Sequence, residues 1–183
     1  LFGEKLSNHP RYKILYSALH LFTENGYKET SVLDVVARAH VSKTTFYNFF
    51  NSKEELLAEL FQSLLEEVLQ EVRLSAEADR HLADKAFAGI RRYLEICYNR
   101  RSVARLLLVT SVGASTAVEE VRQLAHVQFA ELIYETLQSE LVVTESVSHD
   151  ELHTAAQAMV GAINEVVIQK IIVPDEKDDV ERL

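Results

Sequence analysis

The stretch from Thr30 to Phe50 reads TSVLDVVARAHVSKTTFYNFF, and its punctuation decides the fold. Val32, Val35, Val36 and Ala39 recur at the spacing of one helical face, behind Thr30 or Ser31 as an N-cap. Asp34 falls in the first turn, where a carboxylate suits the positive end of the helix dipole. The period breaks at His40-Val41. Ser42 then offers its hydroxyl to the backbone N–H of Thr45 and opens another short helix through about Phe49. Two short helices across so brief a connection have helix-turn-helix geometry. Upstream, Pro10 suits the first turn of a helix carrying Ile14, Leu15, Ala18, Leu21 and Phe22, and Gly26 is placed to take a left-handed cap. Downstream, Ser52 with Glu55 makes a capping box for a long helix striped by Leu57, Leu60, Phe61, Leu64, Val68 and Val72.

The rest of the 183 residues extends the same pattern. Five Gly and two Pro are too few for the many turns of a sandwich or barrel, so the chain is expected to be all-α. The periodicity predicts helices at about 84–99, at about 102–112, from a Thr116–Glu119 cap through Leu137, and from Ser148 to about Val173, where Pro174 stops the last. Residues 141–144 have strand-like composition without an evident partner strand and read as a loop. Cys97 is the single cysteine, which excludes an internal disulfide and a Cys-based zinc site. No apolar run approaches the roughly 20 residues that cross a bilayer, and no signal segment opens the chain. A soluble cytoplasmic protein is expected. The chain begins at Leu1 and ends after an acidic stretch, so both ends read as trimmed.

The net charge of −9 is unevenly divided. Residues 1–53 hold seven Lys/Arg against four Asp/Glu, a net of +3, and the remainder holds 12 against 24, a net of −12. A basic head on an acidic body is the pattern of a chain whose one end faces phosphate. Chance over fifty residues would also produce it.

The segment from Arg11 to Leu57 resembles the TetR/AcrR family of one-component transcriptional regulators. The resemblance is carried by Ile14-Leu15, Ala18, Leu21-Phe22, Gly26-Tyr27, Thr30-Ser31-Val32, Asp34-Val35, Ala39, Val41-Ser42-Lys43, Thr45-Phe46-Tyr47, Phe49 or Phe50, and Ser52-Lys53-Glu54-Glu55-Leu56. It implies a three-helix DNA-binding domain over residues 1–53 and a helical effector-binding and dimerisation domain over 54–183, linked by the helix from about 53 to 74. It also implies roles. Lys43, Thr44 and Asn48 are the candidates for reading base edges in the major groove; Thr45, Tyr47 and Lys53 are candidates for phosphate contacts, and Thr30 and Ser42 complete the DNA-facing set. The alternative for Tyr47 is a half-buried packing aromatic, and for the lysines merely solvated charges. Three residues depart from the family pattern. His40 stands where the turn usually has Gly and costs about 1 kcal/mol if left-handed. Val36 replaces a small residue at the helix crossing, and Thr44 adds a hydroxyl to the reading face.

Beyond residue 57 the resemblance is one of pattern. It implies an internal effector pocket and a homodimer through the C-terminal helices. Tyr93, Cys97, Leu107, His126, Phe129 and Asn164 are the pocket candidates, each also explicable as ordinary core. Gln128 is a further mid-helix polar candidate. Arg91, Arg92, Arg100, Arg101 and Arg105 form a basic cluster, which suits an acidic ligand or a solvated surface. The helix from 148 is small and apolar around much of its circumference, which calls for burial on two sides. His149 and His153 have metal-pair spacing, but Ser148 with Glu151 makes a helix cap that accounts for the segment. No metal site, catalytic residue or cofactor is expected, since the chain has no phosphate loop or nucleophile elbow. The expected function is a DNA-binding regulator, in all expectation a repressor of a palindromic double-stranded operator released by a small-molecule effector. The alternative is a helical interaction module that does not read DNA.

Overall fold

The computed structural model describes residues 8–77, 81–140 and 148–173, without the side chains of residues 82, 83, 139 and 140, and the described residues contain no strand. The helices are α1 (Pro10–Glu24), α2 (Val32–Ala39), α3 (Lys43–Tyr47), α4 (Lys53–Glu77), α5 (Leu82–Asn99), α6 (Arg101–Arg105), α7 (Thr116–Glu140) and α8 (His149–Val167). α6 runs on into a π-helical turn, Leu106–Thr110, and α8 into another, Ile168–Ile172. The all-α expectation holds. The loop expected at 141–144 and the stop at Pro174 lie outside the described residues.

Most helix starts follow the local chemistry. Pro10 stands at the start of α1, and Gly26 beyond its end takes φ +89°. Ser31 and Asp34 form a reciprocal capping box on α2, as do Ser148 and Glu151 on α8. Ser52 accepts the N–H of Glu55, while the Glu55 carboxylate reaches back to the N–H of Asn51 at 2.6 Å. α7 corrects the sequence reading by one residue. Its cap is Ser115, whose hydroxyl accepts the N–H of Val118 at 3.3 Å, and Glu119 instead accepts the N–H of Gly113 at 2.7 Å. A serine next to a threonine offers two equivalent caps in sequence, and the backbone path decides between them.

The chain forms two compact units. Among the described residues, one takes those through Glu67 together with Ser102–Arg122; the other takes those from Val68 to Arg101 and from Gln123 onward. In the first, α1 packs on α2 and both meet α3. Its core joins Ile14, Leu15, Ala18 and Phe22 to Val35, Val36 and Ala39, to Phe46 and Phe50, and to Leu57, Leu60, Phe61 and Leu64 of α4. Val103, Leu106, Leu107 and Val118 enter the same core. In the second unit, Ala130 and Tyr134 of α7 close on Leu152, Ala156 and Val160 of α8, with Phe129, Ile133 and Leu137 alongside.

Candidate nucleic-acid interface

The turn between α2 and α3 is built by an αL residue. His40 takes φ 53° and ψ 45°, its N–H bonds the carbonyl of Ala37 (3.2 Å), and the N–H of Val41 bonds that of Val36 (3.1 Å). These 5→2 and 6→1 bonds make a Schellman motif, which closes the end of α2 and redirects the chain within two residues. Val41 then packs against the core, completing the motif's hydrophobic contact.

α3 starts at once. The Ser42 hydroxyl accepts the N–H of Thr45 (3.0 Å) and shares a bond with the Thr45 hydroxyl (2.8 Å). Phe46 is fully buried, its ring 5.7 Å from that of Phe50, so the inner face of this five-residue helix is anchored by aromatic packing. Ser42, Lys43, Thr44, Tyr47 and Asn48 are exposed, and Thr45 is half-buried. Tyr47 settles between its two sequence readings. Its ring packs edge-on to Phe46 at 5.2 Å while 47% of the residue stays exposed, and the Lys43 ammonium lies 5.9 Å from the ring centre. One end of the tyrosine is thus fixed and the other free. Lys43, Thr44, Tyr47 and Asn48 together form a polar face with donors, acceptors, a methyl group and a cation, the inventory that base edges and phosphates require.

Thr30 and Lys53 are placed differently from the exposed set. Thr30 is 2% exposed, and its hydroxyl donates inward to the carbonyls of Gly26 (2.8 Å) and Leu21 (3.4 Å). Lys53 donates to the carbonyls of Tyr27 (3.0 Å) and Thr30 (2.9 Å), with its ammonium 4.3 Å from the centre of the Tyr27 ring. Burial, then the adjoining Glu54 carboxylate, pushes the Tyr27 phenol up to about 12. Across α1 and α2, Arg38 pairs both oxygens of Glu24 and holds that carboxyl below its ordinary range.

The pocket candidates are split by the fold. Tyr93 donates to Asn164 Oδ1 at 2.7 Å, its ring lies 5.7 Å from that of Phe129, and Cys97 stands one turn further along α5. Burial, and then Cys97, drives the Tyr93 phenol well above its ordinary value, and burial pushes the Cys97 thiol up to about 11. These four therefore lie together in the second unit, Cys97 buried and the other three half-buried. His126 lies half-buried on α7 in that unit, whereas Leu107 belongs to the core of the first. Arg91 and Arg92 of the basic cluster are paired, Arg91 with Glu95 and Arg92 with Glu71 and Glu95. His149 bonds the Tyr134 hydroxyl (2.7 Å) and His153 stacks on the Tyr134 ring, and no metal-binding cluster occurs among the described residues. Arg122 escaped the sequence reading. It donates to the carbonyl of Leu107 (2.5 Å) at the π-helical turn, a bond that no periodicity signals.

An αL turn between two capped helices, with an aromatic inner face and a polar outer one, defines a helix-turn-helix reading head. The model of bacterial regulatory proteins of the tetR family matches residues 14–60, the segment that holds this head. The chain is similar to the uncharacterized HTH-type transcriptional regulator YhgD of Bacillus subtilis, with 33% identity over 111 residues, 60% of this chain and 58% of that one. A fatty acid metabolism regulator protein of the same organism is 24% identical over 182 residues, covering 93% of this chain and 88% of the relative. The chain spans about half the length of the first curated relatives it matches. Among solved structures, FadR from Bacillus subtilis in complex with stearoyl-CoA superposes with a TM-score of 0.73 at 20% identity over 90% of this chain and 88% of that one, which establishes the common fold.

Proposed function

We propose that the chain is a repressor that reads a palindromic DNA operator as a homodimer and is released by a small-molecule effector. The observation that carries this reading is the polar face of Lys43, Thr44, Tyr47 and Asn48, held outward by the burial of Phe46. Asn48 can pair with adenine, Thr44 can pack on a thymine methyl, and Lys43 and Tyr47 can reach phosphate or guanine. Residues 1–53 are the reading domain, and 54–183 carry the effector and dimer functions.

The dimer is supported by the outer surfaces of α7 and α8. Leu124 and Val127 are exposed on α7, and Ala155, Ala158, Gly161, Ala162 and Val166 on α8. A Cβ added at Gly161 would meet nothing within 4 Å, so this stripe lies open for a second copy. The effector is assigned to the Tyr93–Cys97–Phe129–Asn164 cluster. The likeness to a fatty acid metabolism regulator and to FadR with stearoyl-CoA makes a long-chain acyl thioester the first compound to test. Ligand binding there would favour a conformation whose two heads no longer match the operator half-sites. The protein acts without catalysis on this reading, in the cytoplasm with its DNA.

Enrichment of duplexes from a random pool tests the proposal. A palindromic consensus, bound more weakly after Lys43→Ala or Tyr47→Ala and released by stearoyl-CoA, supports it. Failure to enrich any sequence would sink the regulator reading; release by no acyl thioester would remove only the effector class.

A further inference from the structure

We propose that Lys53 is a positioning residue of the reading head, fastening the α1–α2 turn to the start of α4, and is not an anchor for DNA phosphate. The inference rests on the DNA-reading function proposed above and concerns how the head is held in shape. A lysine ammonium has three N–H donors. Two of those of Lys53 go to the carbonyls of Tyr27 and Thr30, 26 and 23 residues earlier in the chain, and the Tyr27 ring covers the ammonium at 4.3 Å. Lys53 is also the first residue of α4, where the helix dipole disfavours a cation. The two carbonyls offset that penalty. They also tie together parts of the chain that no helix connects.

The residues at the other end of the tie are themselves fixed. The Tyr27 hydroxyl donates to Glu54 (3.3 Å), its ring meets Phe22 edge-on at 5.3 Å, and the buried Thr30 hydroxyl closes the turn onto Gly26. Thr30 immediately precedes Ser31, the N-cap of α2. Holding the Thr30 carbonyl therefore holds the point at which α2 begins, and α2 in turn presents α3 through the rigid His40 turn. A shift at the first turn of α4 would pass to the reading helix through this side chain.

The test compares wild type, Lys53→Met and Lys53→Arg on two probes: a duplex enriched from a random pool by the wild-type chain, and a shuffled duplex of the same composition. Each is titrated from about 50 to about 200 mM salt. A positioning role predicts that Lys53→Met lowers affinity for the enriched duplex roughly tenfold, leaves the shuffled duplex unaffected, and keeps the salt slope, with preference restored in Lys53→Arg. Equal weakening on both probes, with a slope smaller by about one, would identify a phosphate anchor and overturn the proposal. No change on either probe would overturn it as well. Should Lys53→Met fail to fold, the wild-type ammonium 15N–1H signal decides. It should be visible before DNA is added and unmoved by the shuffled duplex; a signal that appears only with DNA contradicts the proposal. A wild-type chain that enriches no duplex would instead remove the regulator reading, and this inference with it.

Discussion

His40 is the only non-glycine residue at positive φ among the described residues, and it occupies the turn on which the reading head depends. A side chain in this conformation costs about 1 kcal/mol relative to glycine. His40→Gly is therefore expected to raise the unfolding free energy by about that amount in a urea melt, and an unchanged or lowered midpoint would mean that the imidazole offsets its own strain. Cys97 provides a second test at this scale. With the thiol 5% exposed and pushed up to about 11, it should react with a disulfide reagent at neutral pH only after unfolding. Rapid labelling of the native protein would contradict the burial of Cys97 beside Tyr93. The turn was legible in the break at His40-Val41, because the loss of apolar period there is local, while its left-handed conformation was raised only by the resemblance that puts Gly at that position. The partners of Lys53 were not legible. A cation at a helix start invites a phosphate contact, and only the folded path of the α1–α2 turn shows that two carbonyls accept its hydrogen bonds.

Single helices were readable where their ends are decided by neighbouring residues. The Ser31–Asp34 and Ser148–Glu151 boxes needed only side chains three positions apart. Their pH dependence follows from the same bonds. The Ser31 hydroxyl and then its backbone N–H hold Asp34 below its ordinary value; the Ser148 N–H and then its hydroxyl do so for Glu151. A carboxyl depressed in the folded state contributes stability above its unfolded pKa and loses it as pH falls through the folded value. Amide exchange in the first turns of α2 and α8 should accordingly accelerate as pH drops below the carboxylate range, once the intrinsic exchange rate is allowed for. Ser31→Ala should flatten that dependence in α2 and leave α8 unchanged. For α3, Phe46→Ala is expected to cost about 3–5 kcal/mol, since its ring fills the inner face. Lys43→Ala and Tyr47→Ala, on the outer face, should leave a thermal melt within about 1 kcal/mol of wild type and abolish sequence preference. The π-helical turn after α6 had no such local signal. Its carbonyl is met by Arg122 from 15 residues further on.

At the scale of the molecule, apolar period tells which face of a helix is buried but not which core receives it. Leu106 and Leu107 have helical spacing like any core residues, yet they join the core of the reading head, where Leu107 had been a pocket candidate. The Tyr93, Cys97, Phe129 and Asn164 candidates did come together, because α5 and α8 meet in the second unit. The open stripe on α8 gives the dimer its own prediction. Ala162→Glu should yield monomers in light scattering with an unchanged helical spectrum, and should weaken operator binding with no substitution in the head. A dimer that survives both Ala162→Glu and Ala158→Glu would place the interface elsewhere. Hydroxyl-radical footprinting of the wild-type chain on its enriched duplex tests the central claim most directly. Two protected patches related by a two-fold axis and separated by about 34–36 Å, or a multiple of that spacing, are the predicted result, each lost with Tyr47→Ala. Uniform protection that follows no sequence, or no protection at salt concentrations where the duplex was enriched, would contradict the account.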